Sequence, residues 1–239
     1  LPPGEPPEMV GIRQTVLDAI PEETYTKWRA SWIRTSVDGG NAWGDCIPAP
    51  VSAPHGPIRL SSGNLLFLGQ QWCGHGSSVP NEGAGDIRAA RSSDDGQTWI
   101  ELGSVLVPDG IGFAEPHVVE LVNGRLIGLI RASEFEMYQT ESDDDGVTWT
   151  PARRLGIYGS PPHLIRHSSG TLVCVYGYRK PPHGERAMFS YDGGVTWDYD
   201  WAINDAPSED LGYPCSVELP DGRILTVYYQ YEEGETRYS

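Results

Sequence analysis

Short apolar runs alternate along the chain with polar turns that carry glycine, and four stretches repeat one pattern: a short strand, a polar turn ending in Gly, then an apolar strand. The copies are APHGPIRLSSGNLLFLG from Ala53, EPHVVELVNGRLIGLIR from Glu115, PPHLIRHSSGTLVCVYG from Pro161 and YPCSVELPDGRILTVYY from Tyr213. Each predicts a β-hairpin. Three of them are followed by a further strand that runs into a second motif, S-x-D-x-G-x-T-W, read as SSDDGQTW at 92–99, SDDDGVTW at 142–149 and SYDGGVTW at 190–197. A looser copy, SVDGGNAW, stands at 36–43. The residue types suit a tight turn between strands: Asp accepts backbone N–H bonds, Gly admits a left-handed backbone, and Trp pins the turn to its module.

Two interleaved repeats give a unit of about four strands, which is the blade of a β-propeller with its first strand lining a central channel. A β-sandwich would offer no reason for the same turn four times. The expected class is therefore all-β, with the whole of 1–239 forming one propeller domain. Its parts are a partial first module at 1–50, complete blades at 51–110, 111–158 and 159–210, and a last, incomplete blade at 211–239. In the first module strands are expected near 12–17 and 30–35, after a Pro-rich, extended 1–7, and no long stretch carries helical periodicity. The chain opens on Leu1 and stops just after a strand-like stretch, so a processed or truncated chain is expected.

Charge narrows the partners. Thirty-three acidic against 17 basic residues give a formal net charge of -16, which repels nucleic acid and shows no basic patch to override it. No apolar run approaches the roughly 20 residues of a membrane span. Cys46, Cys73, Cys174 and Cys215 have no CxxC spacing, which speaks against a zinc ribbon and leaves one or two disulfides open. No cofactor is expected. The compartment is left open, with secretion or the periplasm favoured.

Residues that open the inner strands converge on the channel mouth, so Ala53, Glu115, Pro161 and Tyr213 are expected around one site. Asp143, Asp144 and Asp145, though clustered, read as turn residues. Tyr228, Tyr229 and Tyr231 could stack on a sugar, though strand packing is the favoured reading. His55, His117 and His163 hold the same position in three hairpins, with Cys215 in the fourth. Three uses are open to them: contact with a ligand, a zinc or copper site, or structural bonds from each ring to a neighbouring backbone group.

The turn motifs resemble the Asp-box, or BNR, repeats of sialidases and related propeller proteins, from about Arg29 to the end of the chain. The resemblance implies a six-bladed ring, of which roughly five modules are visible here. It also implies roles. Tyr213 corresponds to the family's nucleophile, Glu115 to the base that activates it, and Arg131 to one of three arginines that clamp a substrate carboxylate. Another of the three is Arg179 or Arg186. The first belongs in the family to an R-I-P motif whose place is taken here by Ala53, so His55 or Arg59 would have to substitute. The acid/base position falls on Glu82 or Asp86. Together these imply a retaining, sialidase-like exo-glycosidase acting on a terminal acidic or modified sugar. Two alternatives stand beside it: a non-catalytic propeller that binds glycan or protein at the mouth, and a glycosidase or lyase that uses the histidines.

Overall fold

In the computed structural model, which describes residues 7–28, 31–71, 86–232 and 235–238, the repeats become sheets. A two-stranded ribbon comes first, β1 (Trp32–Ile33) with β2 (Ile47–Pro48). Three antiparallel four-stranded sheets follow in chain order. These are β3 (Ile58–Arg59) to β6 (Ile100–Ser104) through β4 (Leu65–Gln70) and β5 (Ile87–Ser92), and β7 (Phe113–Glu120) to β10 (Arg153–Tyr158) through β8 (Leu126–Ala132) and β9 (Glu136–Ser142). The third sheet runs from β11 (His163–Arg166) to β14 (Asp198–Asp205) through β12 (Leu172–Tyr178) and β13 (Gly184–Ser190). A three-stranded sheet of β15 (Leu211–Glu218), β16 (Ile224–Glu232) and β17 (Glu235–Tyr238) ends the series. Each sheet packs on the next, and among the described residues the sheets do not close into a ring.

The core lies between blades. On β8, Leu126, Ile130 and Ala132 pack toward the preceding sheet with Leu66, Leu68 and Ala89, while Ile127 and Leu129 pack toward the following one with Leu164, Cys174 and Met188. Alternate residues thus serve opposite faces, and because both faces are covered the strand reads as one apolar run.

Every S-x-D-x-G-x-T-W motif joins the third strand of a sheet to its fourth; the copy at 36–43 joins β1 to β2, which places the ribbon as the outer pair of a blade. Within the 142–149 copy, Asp144 accepts from Thr148 N at 2.8 Å and Thr148 Oγ1 at 2.6 Å, and Ser142 Oγ accepts from Gly146 N at 3.0 Å. Gly146 has φ +83°, a conformation a side chain would strain. The turn also latches onto the blade before it: a Cβ on Gly103 of β6 would come within 2.1 Å of Val147 O. The copy at 190–197 is held in the same way, with Arg125 and Gln139 of the preceding sheet donating to Gly193 O and Gly194 O at 2.7 and 2.9 Å.

Two expectations are corrected. Burial of the motif tryptophans is graded: Trp149 is 9% exposed, Trp99 and Trp197 are half-buried, and Trp43 is 55% exposed. The indole is covered by the preceding blade, which is a whole sheet for Trp149, only the ribbon for Trp99, and nothing among the described residues for Trp43. Residues 12–17 lie in a helix, α1 (Pro7–Asp18), followed by α2 (Glu22–Trp28). Proline at the first helical position of α1 and Glu22 with Glu23 in the first turn of α2 favour these starts. The pattern is hard to read because the apolar side chains described on α1 do not pack: Ile12 and Val16 are both 57% exposed. In the first module's second expected stretch, 30–35, only Trp32–Ile33 is extended.

Ser142 lies buried and serves both Gly146 N and Asp144. Replacing it by Ala leaves a buried N–H without its acceptor, and we expect a loss of about 1–3 kcal/mol in stability, measured as a lower urea midpoint at unchanged slope. An unchanged midpoint would mean that the turn is held by its neighbours alone.

Candidate active site

The opening residues of β7 and β15 share an unusual backbone. In both strands the pairing with the second strand slips, between Ala114 and His117 and between Gly212 and Cys215. Inside the slips Glu115 has φ +49° and Tyr213 φ +50°. Such bulges re-aim a side chain at a cost of order 1–3 kcal/mol, which the surrounding sheets must sustain. The two side chains meet although 98 positions apart: Tyr213 Oη donates to Glu115 Oε1 at 2.6 Å. The other oxygen of Glu115 accepts from Arg131 Nη1 at 2.5 Å.

Arg131 comes from β8, next to Glu115 in the same sheet, and separates two cavities. One, of ≈ 340 Å³, is lined by Gln70, Glu115 and Ser133; the other, of ≈ 460 Å³, by Arg131, Phe135, Tyr158, Arg179, Tyr213 and Tyr229 together with Glu209 and Asp210. Arg179 donates Nε and Nη2 to Leu211 O at 3.1 and 2.7 Å, which fixes its guanidinium beside the strand that carries Tyr213. Phe135 lies under both cations, 5.0 Å from Arg131 and 5.8 Å from Arg179, so one aromatic ring spaces the two. Tyr213 stacks on Tyr229 at 6.1 Å, and Tyr229 donates to Asp210 at 3.0 Å. Burial, then the hydrogen bond to Glu115 and its charge, push the Tyr213 phenol above its ordinary range, against an opposing pull from Arg131. Without ligand the phenol keeps its proton and gives it only as a hydrogen bond.

Of the residues singled out in the sequence, Glu115, Arg131, Arg179 and Tyr213 are brought together. Arg186 is not: it is 4% exposed, donates to the carbonyls of Glu185, Pro182 and Asn204, and lies within 3.6 and 3.7 Å of Asp200 and Asp205. Its guanidinium ties β13 to β14. Arg59 is likewise no substitute for the missing arginine, since it bonds Gly63 O and Asp95 at the surface of its own blade. Asp86 pairs with Arg88 at 3.1 Å and lines neither cavity. Glu82 and Cys73 lie outside the described residues, and Cys46, Cys174 and Cys215 are unpaired. Phe135, Glu209 and Asp210 were not signalled by the repeats because they sit in connections, and Tyr158 because it ends the outer strand β10, which the hairpin repeat does not include. A blade-by-blade comparison of the loops after the second strand would have placed Phe135 beside Arg179.

The three histidines gather on the axis. Ring centroids lie 5.3 Å apart for His55 and His117, 4.8 Å for His55 and His163, and 4.5 Å for His117 and His163. His117 Nδ1 accepts from Leu164 N at 2.9 Å, and His163 Nδ1 from Ser216 N at 3.2 Å, so each ring joins its strand to the next blade's inner strand. Neither cavity is lined by them, which removes His55, His117 and His163 from ligand contact there. An accepting Nδ1 places the proton of a neutral ring on Nε2, leaving no free lone pair for a metal on His117 or His163. No group of metal-holding geometry occurs among the described residues.

Blades of this kind, with the S-x-D-x-G-x-T-W turn between outer strands and a charged cleft at the inner ones, define an Asp-box β-propeller. Residues 22–226 match the BNR repeat-like domain family, and the chain belongs to it. It is 25% identical over 168 residues to the anhydrosialidase of Macrobdella decora, a match that covers 59% of this chain and 21% of that protein. Among solved structures it resembles a protein of unknown function from Dyadobacter fermentans, with a TM-score of 0.76, 24% identity and coverage of 88% of this chain and 62% of the other. A NanB sialidase variant from Streptococcus pneumoniae gives 0.65, 21%, 85% and 33%. The chain thus spans less than two thirds of each of these proteins.

Burial holds the axial imidazoles below their ordinary range, His55 and His163 at about 4 and His117 well below its usual value, with repulsion between the rings adding for His117 and His163. Folded values below unfolded ones mean that the unfolded chain takes protons first. The histidines' share of stability is therefore expected to be full above about pH 6.5 and to be lost as the pH drops from there toward 4. The motif carboxylates Asp94 and Asp192, held at about 2 by hydrogen bonds from Thr98 and Thr196, fail only below that window. Urea midpoints from about pH 6.5 to 4 should slope downward in the parent and less steeply in His117→Gln; parallel slopes would exclude His117 as a source.

Proposed function

We propose that the chain carries the centre of a sialidase-like, retaining glycoside hydrolase that acts on a terminal acidic sugar. The observation that supports it best is the shared Glu115 carboxylate, with Tyr213 Oη at 2.6 Å on one oxygen and Arg131 on the other. Arg131 and Arg179 would take the sugar's carboxylate, since a guanidinium fork offers paired N–H groups to two oxygens. As Glu115 accepts the phenolic proton, Tyr213 Oη attacks the anomeric carbon, the bond to the protonated leaving oxygen breaks, and an aryl glycoside of Tyr213 forms. Water then releases the sugar with its configuration retained. Asp86 is engaged by Arg88 and lines neither cavity, so Glu82, on the connection between β4 and β5, is the candidate left to protonate the leaving oxygen. A phenoxide paired with a carboxylate base avoids setting a second negative carboxylate against an anionic substrate.

One observation favours a binding module instead: Ala53 stands where a third arginine would be, Arg59 is engaged elsewhere, and Arg186 is buried. A two-arginine cleft can still hold an acidic glycan.

The readings separate at Tyr213. Turnover of a chromogenic sialoside, within a panel of glycosides, is expected to fall at least about 100-fold in Tyr213→Phe, while affinity for free sialic acid changes little. Arg131→Ala is expected to lose affinity, by about 2 kcal/mol or more, because it removes a charge-assisted pair and leaves Glu115 alone. Binding that depends on Arg131, with no turnover in the parent, would establish the binding module.

A further inference from the structure

Behind the cleft stands a carboxyl that none of these roles uses. Glu185 of β13 is 1% exposed, and among the described residues neither of its carboxyl oxygens has a hydrogen-bond partner. A buried acid without partners is costly, so its position calls for a reason.

The register supplies one. Glu185 pairs across the sheet with Gly177, and so shares a face with it; Arg179 lies two residues further on. A Cβ on Gly177 would meet Gly212 Cα and Leu211 Cδ1 at 3.1 Å, so this face is covered by the start of β15. That is the segment whose Leu211 O holds Arg179 and whose bulge aims Tyr213. Glu185 is thus packed beneath the junction of Arg179 with the Tyr213 strand.

We propose that Glu185 is a positioning residue for Arg179, and that its charge state sets how much of the guanidinium charge is offered to an anionic ligand. This rests on the reading of the cleft as an acidic-sugar site. While the carboxyl is neutral, Arg179 has no counter-charge behind it, and an acidic ligand receives the whole field. Once ionised, the carboxylate draws Arg179 back and competes for it. Burial pushes Glu185 up to about 8, against the pull of Arg179 and Arg186, so the change falls within reach of ordinary buffers. The other groups around it leave the assignment to Arg179. Arg186 is committed to carbonyls and to Asp200 and Asp205 of β14, and Tyr228 of β16 has its own phenol raised by burial and by Glu185. Asn204, opposite Glu185 on β14, donates to Gln230 of β16 and carries no charge.

Two measurements test this, the first without ligand. Carboxyl-carbon NMR, with the Glu185 signal assigned by its loss in Glu185→Gln, should give a midpoint near 8 in the parent and a higher one in Arg179→Ala. An unmoved midpoint would overturn the coupling, whatever the cleft binds. The second is calorimetric titration with free sialic acid between pH 6 and 9. Affinity in the parent should weaken by about fivefold across that range, with proton uptake on binding near pH 8, because linkage is reciprocal. In Glu185→Gln, which keeps the shape and the neutral state, affinity should match the parent at pH 6 and stay flat, with no proton uptake. A variant that binds weakly at every pH but keeps the parent's slope would reduce Glu185 to a packing role and overturn the proposal. Absence of sialic acid binding in a parent whose Glu185 midpoint does respond to Arg179 would instead overturn the acidic-sugar reading, and with it the ligand half of the proposal.

Discussion

Imidazole-to-backbone bonds on the axis fix everything that lies above them. His117 accepts from Leu164 N and His163 from Ser216 N, so β7 is tied to β11 and β11 to β15 by a side chain, where no ladder of backbone bonds runs between these sheets. Such a bond sets the stagger of neighbouring inner strands to within the tolerance of one hydrogen bond. Glu115 stands two residues before His117, and Tyr213 two before Cys215, whose Sγ lies 3.6 Å from His163 Nε2. The same two-residue offset from the axis, on strands separated by a whole blade, carries both side chains to one height. Without that stagger a contact of 2.6 Å between residues 98 positions apart would have no support.

Backbone strain completes the placement. An ordinary β-strand sends alternate side chains to opposite faces, and a strand beginning in regular register would aim Glu115 and Tyr213 into the neighbouring blades. The bulges turn both toward the mouth, at φ +49° and +50°. Strain of this kind persists only where packing holds it: β8 and β12, which flank the two bulged strands, contribute Leu126, Ile127, Leu129, Leu172 and Cys174 with no exposed surface at all, whereas on the outer face of the β15–β16 sheet Val217, Leu225 and Val227 are exposed. The Asp-box turns act at the opposite edge of each blade. Their latches onto Gly103 and Gln139 keep successive sheets from sliding, and so serve the cleft from a distance without facing it.

How much of this could be read from the chain follows from what repeats. Glu115 and Tyr213 were legible because they occupy one position of a fourfold pattern, and Arg131 because it closes the hairpin that Glu115 opens. The choice of Arg179 over Arg186 was not legible. Both precede the same Asp box, and only coordinates show one bonded to Leu211 O and the other sunk between β13 and β14. The histidines were visible as a ring, yet their use depended on which ring nitrogen faces a backbone N–H, which a linear pattern does not encode. Phe135 and Glu185 escaped for opposite reasons. The first sits in a connection where no period applies; the second alternates correctly in its strand, and only its lack of partners marks it out. The helices at 7–28 were missed because the apolar side chains described on them, Ile12, Val16 and Trp28, stand exposed, so no period of burial marks them.

Donor supply in the cleft bears on what it can hold. A guanidinium has five N–H groups. Arg131 gives one nitrogen to Glu115, and Arg179 turns one edge to Leu211 O. Each therefore keeps an unspent edge, and Phe135 beneath both holds their separation. A single carboxylate lying between them can take a pair of N–H groups from one and a lone bond from the other, which is fewer than three arginines would give. Under the acidic-sugar reading proposed above, the shortfall would fall to contacts from Tyr158, Tyr229 and the Glu209 and Asp210 carboxylates that line the same cavity. Selectivity would then shift from the charge shared by all acidic sugars toward the pattern of hydroxyls around the ring, because two arginines supply a smaller charge term and the carboxylates oppose it while accepting from hydroxyls.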